Sequence, residues 1–234
     1  MKKIFFAVLP LCMSILLITP AKAEQKPVIA EYFGIWGTQS EWVSKFRNDT
    51  PLDKLNRLYV AFAKIIKTKD GYLDINFDDN DNDPTHKHAL DLIARTRQIN
   101  PQAEILITLG GKCLADSFCG AANDPNFAKN VNAFLQKYNL QGLDIDWEQE
   151  LDKNALNKLV KNLSAELHPD KLLLTLDVWY DVNSAYDPQT LAKYVDQMNI
   201  MSYGVYRHLS DIVPKFTDAG FPITPLSLQC CLNI

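Results

Sequence analysis

The sequence predicts an α/β protein, a (β/α)8 TIM barrel that lacks its last β-α unit. With 47% apolar and 22% charged residues among 234, the chain has the composition of a folded globular protein. Short apolar runs alternate along it with amphipathic helical segments, which favours either a barrel or an open doubly wound sheet. Most runs show little strict alternation, as is typical of parallel strands covered by helices. No G-x-G-x-x-G follows the first strand, so the dinucleotide-binding fingerprint is absent.

Seven strands and five helices are predicted in chain order. The strands are expected at 28–36, 58–65, 104–109, 140–146, 172–178, 198–203 and 223–228. The helices are expected near 85–99, 125–138, 153–167, 188–195 and 209–219, with Asp152 and Asp187 as N-terminal caps of the third and fourth. A closed barrel needs eight strands, and the sequence after the seventh does not supply another unit. Either the barrel is open at one seam, or the chain is a truncated product.

Residues 1–23 predict a secretory signal peptide. Lys2 and Lys3 precede an apolar run, and Ala21 and Ala23 provide the small residues of a cleavage site. The alternative is a retained membrane anchor, but the apolar run is short for a membrane span. We expect a secreted or periplasmic catalytic domain over residues 24–234. Because export permits disulfides, Cys113 and Cys119, six residues apart, are predicted to pair.

The charge of the chain limits its partners. It has 24 Lys and Arg residues against 28 Asp and Glu residues, so its net charge is −4. This balance does not favour nucleic acid or an anionic membrane surface as a partner. We expect a monomer that has no membrane contact once the signal is removed. No cofactor is expected, and the cysteine spacing does not resemble a zinc site.

Three carboxyl side chains follow one another at a spacing of two on the fourth predicted strand. Asp144, Asp146 and Glu148 should share one face, while Leu143 and Ile145 point to the other. Crowding should raise the pKa of at least one carboxyl, as general-acid catalysis requires. Two alternatives remain open at this point: the acids could bind a divalent cation, or they could lie at a solvated strand end.

Several motifs, taken in order, resemble those of glycoside hydrolase family 18, the chitinases and their relatives. Gly-Leu-Asp-Ile-Asp-Trp-Glu at 142–148 is similar to the family's fourth-strand signature. Thr-Leu-Gly-Gly at 108–111 and Met-Asn-Ile-Met-Ser-Tyr at 198–203 resemble its third-strand and sixth-strand motifs. Glu-Tyr-Phe at 31–33 and Tyr-Val-Ala-Phe at 59–62 resemble its aromatic floor. The resemblance extends from about residue 28 to 204.

The resemblance implies substrate-assisted hydrolysis of β-1,4-linked N-acetylglucosamine with retained configuration. Glu148 would protonate the leaving oxygen, and the substrate's own acetamide carbonyl would be the nucleophile. Asp146 would orient the acetamide, Asp144 would share a proton with Asp146, and Tyr203 would hydrogen bond the acetamide. The residues implied in sugar binding are Tyr32, Phe62, Met201 and Trp179, with ordinary packing in the barrel core as the alternative for each.

The sequence departs from the family pattern at four places. Gln141 replaces an aspartate and is expected to change the charge near the acids. Thr108 replaces a serine but keeps the hydroxyl, and Gly204 replaces an aspartate that helps to bind the sugar. The tryptophan of the family's eighth strand has no counterpart before Ile234. Three hypotheses follow: an active glycosidase acting on chitin, its oligomers or a glycan core; a glycan-binding protein that does not cleave; or an inactive truncated product.

Overall fold

The fold is known from a computed structural model that describes residues 28–45, 50–77, 83–111, 115–180, 186–202, 209–222 and 226–229. Within these ranges there are eight strands and seven α-helices. The strands are β1 (Ala30–Gly34), β2 (Arg57–Lys67), β3 (Leu73–Asn76), β4 (Glu104–Gly110), β5 (Gly142–Asp146), β6 (Leu173–Trp179), β7 (Gln197–Met201) and β8 (Leu226–Gln229). The helices are α1 (Gln39–Lys45), α2 (Pro84–Ile99), α3 (Ala115–Asn123), α4 (Phe127–Lys137), α5 (Lys153–Leu167), α6 (Pro188–Leu191) and α7 (Leu209–Asp218).

Seven of the strands form one parallel sheet in the order β1-β2-β4-β5-β6-β7-β8. Among the described residues β1 pairs only with β2 and β8 only with β7, so the sheet is open along the seam between β1 and β8. This arrangement confirms the predicted α/β class and the incomplete barrel. Because all seven strands are parallel, their carboxyl ends meet at one edge, where barrel active sites lie.

One strand was not predicted. β3 pairs antiparallel with the end of β2, with Lys67 opposite Leu73, and the N–H of Thr68 donates to the carbonyl of Tyr72 at 2.8 Å. The sequence therefore predicted one strand too few. Its four residues alternate leucine or isoleucine with aspartate or asparagine, and they were too short and polar to be recognised as a strand. As a result the acidic strand, fourth in the parallel sheet, is β5 in chain order.

The core lies between the sheet and its covering helices. Leu143 and Ile145 of β5 are fully buried in it, together with the apolar faces of α4 and α5. Removing a methylene from such a core side chain costs about 1 kcal/mol. The strand side chains on the other face, away from the helices, point into the partial barrel. Many of them are polar.

The helix caps agree with the sequence, and the helix bounds differ in places. The carboxylate of Asp152 accepts the N–H of Ala155 at 2.8 Å, and that of Asp187 accepts the N–H of Thr190 at 3.1 Å, so both predicted N-caps are confirmed. The helix predicted over 188–195 ends at Leu191. Helices α1 and α3 were not predicted.

Three sequence predictions fall outside the described residues. They concern the signal peptide at 1–23, the role of Tyr203, and the disulfide between Cys113 and Cys119, of which Cys113 is not described. Within the described ranges, no helix combines the length and apolar content that crossing a membrane requires.

Candidate active site

The acids of β5 lie where the alternation predicts. Asp144 and Asp146 are buried inside the partial barrel, on the face opposite Leu143 and Ile145. The strand ends at Asp146, and Glu148 follows in the loop with its side chain only partly buried. The third carboxyl therefore lies at the mouth of the barrel, above the other two.

The buried Trp147 anchors the segment between Asp146 and Glu148. Its ring stacks on that of Phe118 in α3, with centroids 5.0 Å apart, and its indole N–H donates to the carbonyl of Gln149 at 2.7 Å. A ring of this size, packed and hydrogen bonded, limits the motion of its neighbours. The backbone that presents Glu148 is thereby held in place.

Hydroxyl and amide donors from three other strands surround Asp144. Thr108 of β4 donates to one carboxylate oxygen at 3.1 Å. Thr175 of β6 and the amide of Asn199 of β7, the latter at 3.3 Å, donate to the other. Complete burial raises the pKa of Asp144 to about 6, although these donors lower it in part. The threonine that replaces the family's serine thus keeps its hydrogen bond.

Asp146 differs from Asp144 because it has few donors. Its Oδ1 is buried, and among the described residues no atom hydrogen bonds to it. Burial, the negative charges of Glu148 and Asp144, and a hydrogen bond to Glu148 together raise the pKa of Asp146 to about 8. The sequence predicted a raised pKa from crowding, but burial is the larger cause. Asp146 therefore holds a proton at neutral pH, and its carboxyl group is hydrogen bonded to that of Glu148.

Two glycines let β4 approach the acids closely. A Cβ on Gly110 would lie 2.0 Å from the backbone oxygen of Asp146, which no side chain can tolerate. The N–H of Gly111 donates to that same oxygen at 3.1 Å. Gly110 has a φ of 149° and Gly111 a φ of 90°, a region that favours glycine. The glycine pair at 110–111 therefore fixes the position of Asp146.

We expect Gly110→Ala to lower the free energy of unfolding by about 3 kcal/mol or more, because the backbone of β5 must move to admit the methyl group. Urea unfolding measures the effect. Gly120→Ala in α3 is the matched control, because its new Cβ meets only a methyl group of Leu73, at 3.1 Å. Equal stability of the two variants would contradict the close approach of β4 to β5.

Aromatic hydroxyls form the floor beneath the acids. The rings of Tyr32 in β1 and Tyr59 in β2 stack, with centroids 4.2 Å apart. The amide of Asn199 donates to the hydroxyl of Tyr32 at 2.8 Å and to that of Tyr59 at 3.4 Å. Burial and the nearby Asp144 raise the pKa of Tyr59 to about 12, so its hydroxyl stays neutral. Tyr32, expected to line the sugar pocket, hence contacts the polar interior layer.

The remaining predicted sugar-binding residues line the mouth of the partial barrel. Phe62 packs against Gly111, and its ring is parallel to that of Trp36, with centroids 5.7 Å apart. Met201 is buried at the end of β7, opposite Trp179 at the end of β6. The indole N–H of Trp179 donates to the carbonyl of Glu148 at 3.3 Å, which places its ring beside the candidate acid.

Besides Thr175 and Asn199, sequence reasoning missed two further residues of this site. Tyr186 is buried, and its hydroxyl hydrogen bonds the N–H of Trp179 at 3.2 Å. Burial raises the pKa of Tyr186 to about 12, and the charges of Asp146, Asp177 and Glu148 contribute. Asp177 is a buried acid on β6. The only sequence signal for Asp177 was a charged residue inside an otherwise apolar strand.

The structure contradicts the expectation for Gln141. Its amide accepts the N–H of Ile105 at 2.9 Å and donates to the carbonyl of Asn139 at 3.0 Å, which joins the starts of β4 and β5. Because residues 141 and 144 are an odd number apart, the two side chains leave opposite faces of the strand. Gln141 therefore joins backbone segments and does not touch the acids. Gly204 lies outside the described residues.

The described residues contain no group of three or more His, Cys, Asp or Glu side chains arranged to hold a metal ion.

The fold and the site together indicate the class of protein. Buried carboxyl groups lie at the carboxyl edge of the parallel strands, and aromatic rings surround the mouth, as in a barrel of the glycoside hydrolase class. Residues 28–226 match the family described as Glycosyl hydrolases family 18. The chain belongs to this family.

Individual relatives agree with this assignment. The chain is 27% identical over 195 residues to an endochitinase from Brugia malayi, a match that covers 75% of this chain and 38% of that protein. Its fold is similar to that of a family 18 chitinase from Cycas revoluta solved with (GlcNAc)3, with a TM-score of 0.67, 23% identity, and coverage of 86% and 68%. A chitinase-like agglutinin from Robinia pseudoacacia has a TM-score of 0.65, 18% identity, and coverage of 86% and 69%. The chain spans less than half the length of the curated relatives that it matches first.

Proposed function

We propose that the chain is an exported glycoside hydrolase that cleaves β-1,4-linked N-acetylglucosamine in chitin or its oligomers. The observation that supports this most directly is the pair formed by Asp146 and Glu148. It joins a carboxyl group at the barrel mouth to a buried one that holds a proton at neutral pH. General-acid cleavage needs a proton at such a place. The family membership and the chitin oligomer bound in the Cycas revoluta structure support the choice of substrate.

In this mechanism Glu148 donates its proton to the glycosidic oxygen, and the bond from that oxygen to the anomeric carbon breaks. The acetamide carbonyl oxygen of the same sugar attacks the anomeric carbon, which gives a cyclic oxazolinium ion. Water then opens this ion from the face the leaving group occupied, giving up a proton to the Glu148 carboxylate, so the configuration is retained. Glu148 returns to its protonated state at the end of the cycle.

Asp146 would direct the acetamide in this reaction. Its Oδ1 is a buried acceptor that nothing in the described part of the chain satisfies, and such an atom costs about 1–3 kcal/mol. The N–H of a bound acetamide is a donor of the right kind. When the shared proton moves to Glu148 and from there to the leaving oxygen, Asp146 is left as a carboxylate, which stabilises the positive charge that develops on the acetamide. The aromatic rings of Trp179 and Phe62 would stack on the sugar faces.

The stereochemistry of the first product tests this proposal. We expect the purified chain to release products from chitotetraose whose reducing ends form first in the β configuration, as followed by proton NMR. The matched substrate is a fully deacetylated glucosamine tetramer, which lacks the attacking carbonyl and should not be cleaved. Cleavage of both, or a first product in the α configuration, would contradict the substrate-assisted route. A folded chain that cleaves neither but melts at a higher temperature with chitotetraose would be a glycan-binding protein.

The pKa of about 8 for Asp146 predicts the alkaline limit of the reaction. Above that pH the pair loses its proton, and no acid remains for the leaving oxygen. We expect log(kcat/KM) to be constant below this limit and to fall with a slope of −1 above it, with the break within about one unit of pH 8. A rate profile on a chitotriose conjugate measures this, with thermal melting at each pH to show that the fold persists. A profile that stays flat to pH 10 would contradict the assignment of the proton to this pair.

A further inference from the structure

A fourth carboxyl group, that of Asp177, lies in the same interior layer as the acids of β5. Asp177 is two residues beyond Thr175 on β6 and is directly opposite Asn199 of β7. Its side chain is 3% exposed. It lies outside the acidic motif at 142–148, and nothing in the proposed reaction uses it so far. A buried acid in a barrel interior needs partners, because an isolated charge there is costly.

The partners of Asp177 are other groups of the site. The hydroxyl of Tyr32 donates to its Oδ1 at 2.7 Å, and Asp177 also hydrogen bonds the carboxyl of Asp144. Two carboxyl groups can form a hydrogen bond only when one of them is protonated. The arrangement therefore requires a proton between Asp177 and Asp144.

The surroundings decide which of the two holds that proton. Asp144 already accepts hydrogen bonds from Thr108, Thr175 and Asn199, which favour its ionised form. Asp177 accepts hydrogen bonds from Tyr32 and Asn199 and faces the carboxyl groups of Asp144 and Asp146 on β5. The other titratable groups that face it, Tyr32 of β1 and Tyr186 before α6, are neutral phenols. Burial and the two carboxylates raise the pKa of Asp177 well above its ordinary value, in agreement with the geometry.

We propose that Asp177 is a positioning residue, which remains protonated and donates a hydrogen bond to Asp144. With this donor in place the carboxylate of Asp144 has a full set of partners and does not draw the proton from Asp146. The proton of Asp146 is then shared with Glu148, toward the substrate. This role deepens the proposed hydrolase function and depends on it for its effect on the rate.

Two variants of Asp177 test this role. In Asp177→Asn the amide N–H2 can still donate to Asp144 and the amide oxygen can still accept from Tyr32, whereas Asp177→Leu keeps the size and removes both bonds. We expect the asparagine variant to keep kcat within about threefold and to leave the pH profile unchanged. We expect the leucine variant to lose about 10-fold to 100-fold in kcat and to move the alkaline limit to lower pH by about one unit, because Asp144 then takes up a proton.

Asp91→Asn, a change at a partly exposed position on α2 that is ion-paired with Lys87, is the control and should alter neither quantity. A merely structural role would lower the melting temperature of the leucine variant and leave its alkaline limit in place, and that result would overturn the proposal. Equal losses in the asparagine and leucine variants would also overturn it, because the charge of Asp177 would then matter and its donated bond would not.

An infrared titration tests the protonation of Asp177 without any substrate. A protonated carboxyl group has a carbonyl stretching band that carboxylates and amides lack. We expect the wild-type chain to keep one such band at a pH above the value of about 8 for Asp146, and Asp177→Asn to lose it. If the wild-type chain has the band but does not hydrolyse chitotetraose, the proposed function fails while the hydrogen-bond assignment stands. If the band is absent from a folded wild-type chain, the assignment itself fails.

Discussion

Glu148→Gln is expected to lower the rate of hydrolysis by about 10³-fold or more. The amide has the size of the carboxyl group but cannot give a proton to the leaving oxygen, and general-acid catalysis contributes about 10²–10⁴-fold in enzymes. The fold should be unaffected, because the side chain of Glu148 is only partly buried at the barrel mouth. Release of a fluorophore from a chitotriose conjugate measures the rate.

Glu150→Gln is the matched control, because Glu150 is an exposed acid two residues further along the same loop. We expect it to keep the rate within about twofold. The melting temperature in the presence of chitotriose separates binding from catalysis, and both variants should still be stabilised by the sugar. Undiminished hydrolysis by Glu148→Gln would remove Glu148 from the mechanism.

Asp146→Asn should lower kcat by about 10²-fold to 10³-fold and at the same time stabilise the fold at neutral and alkaline pH. An unfolded aspartate has a pKa of about 3.9, whereas that of Asp146 in the fold is about 8. Between these values the native chain holds a proton that the unfolded chain releases, so the free energy of unfolding falls as the pH rises through this window. Asparagine does not titrate and avoids this loss.

The size of the stabilisation should therefore depend on pH. We expect the two proteins to differ little near pH 4 and by up to about 5 kcal/mol near pH 8 in chemical unfolding experiments. Asp152→Asn is the control, since asparagine caps a helix as well as aspartate does and the exposed Asp152 has no buried acid beside it. A difference that stays constant with pH would show that Asp146 is ionised in the native state.

The sequence predicts the parallel strands and the acids of β5 well because both follow from simple periodicities. Apolar runs separated by helical segments define the strand order, and a spacing of two puts Asp144, Asp146 and Glu148 on one face. The incomplete barrel was predicted from the strand count. These features depend on local patterns, which a single sequence contains in full.

The missed features depend on contacts between distant residues. Asp177 looks like one polar residue in an apolar strand until β1 brings Tyr32 within 2.7 Å of it. His88 is fully buried against the ring of Trp42 and hydrogen bonds the carbonyl of Ile35 at 2.9 Å, and both partners are distant in the sequence. Gln141 looked like a change in the acid cluster, and only the register of β4 beside β5 shows that it joins backbone atoms.

The interior layer around Asp144 also has a consequence for the order in which the site can form during synthesis. Tyr32 meets Asp177 from 145 residues away and Asn199 from 167 residues away. When the ribosome has made β1 through β5, all the acids of the motif are present, yet the donors of β6 and β7 do not exist. At that stage Asp144 lacks the amide of Asn199 and the hydroxyl of Thr175. The proton arrangement proposed for catalysis can therefore arise only after β7 has joined the sheet.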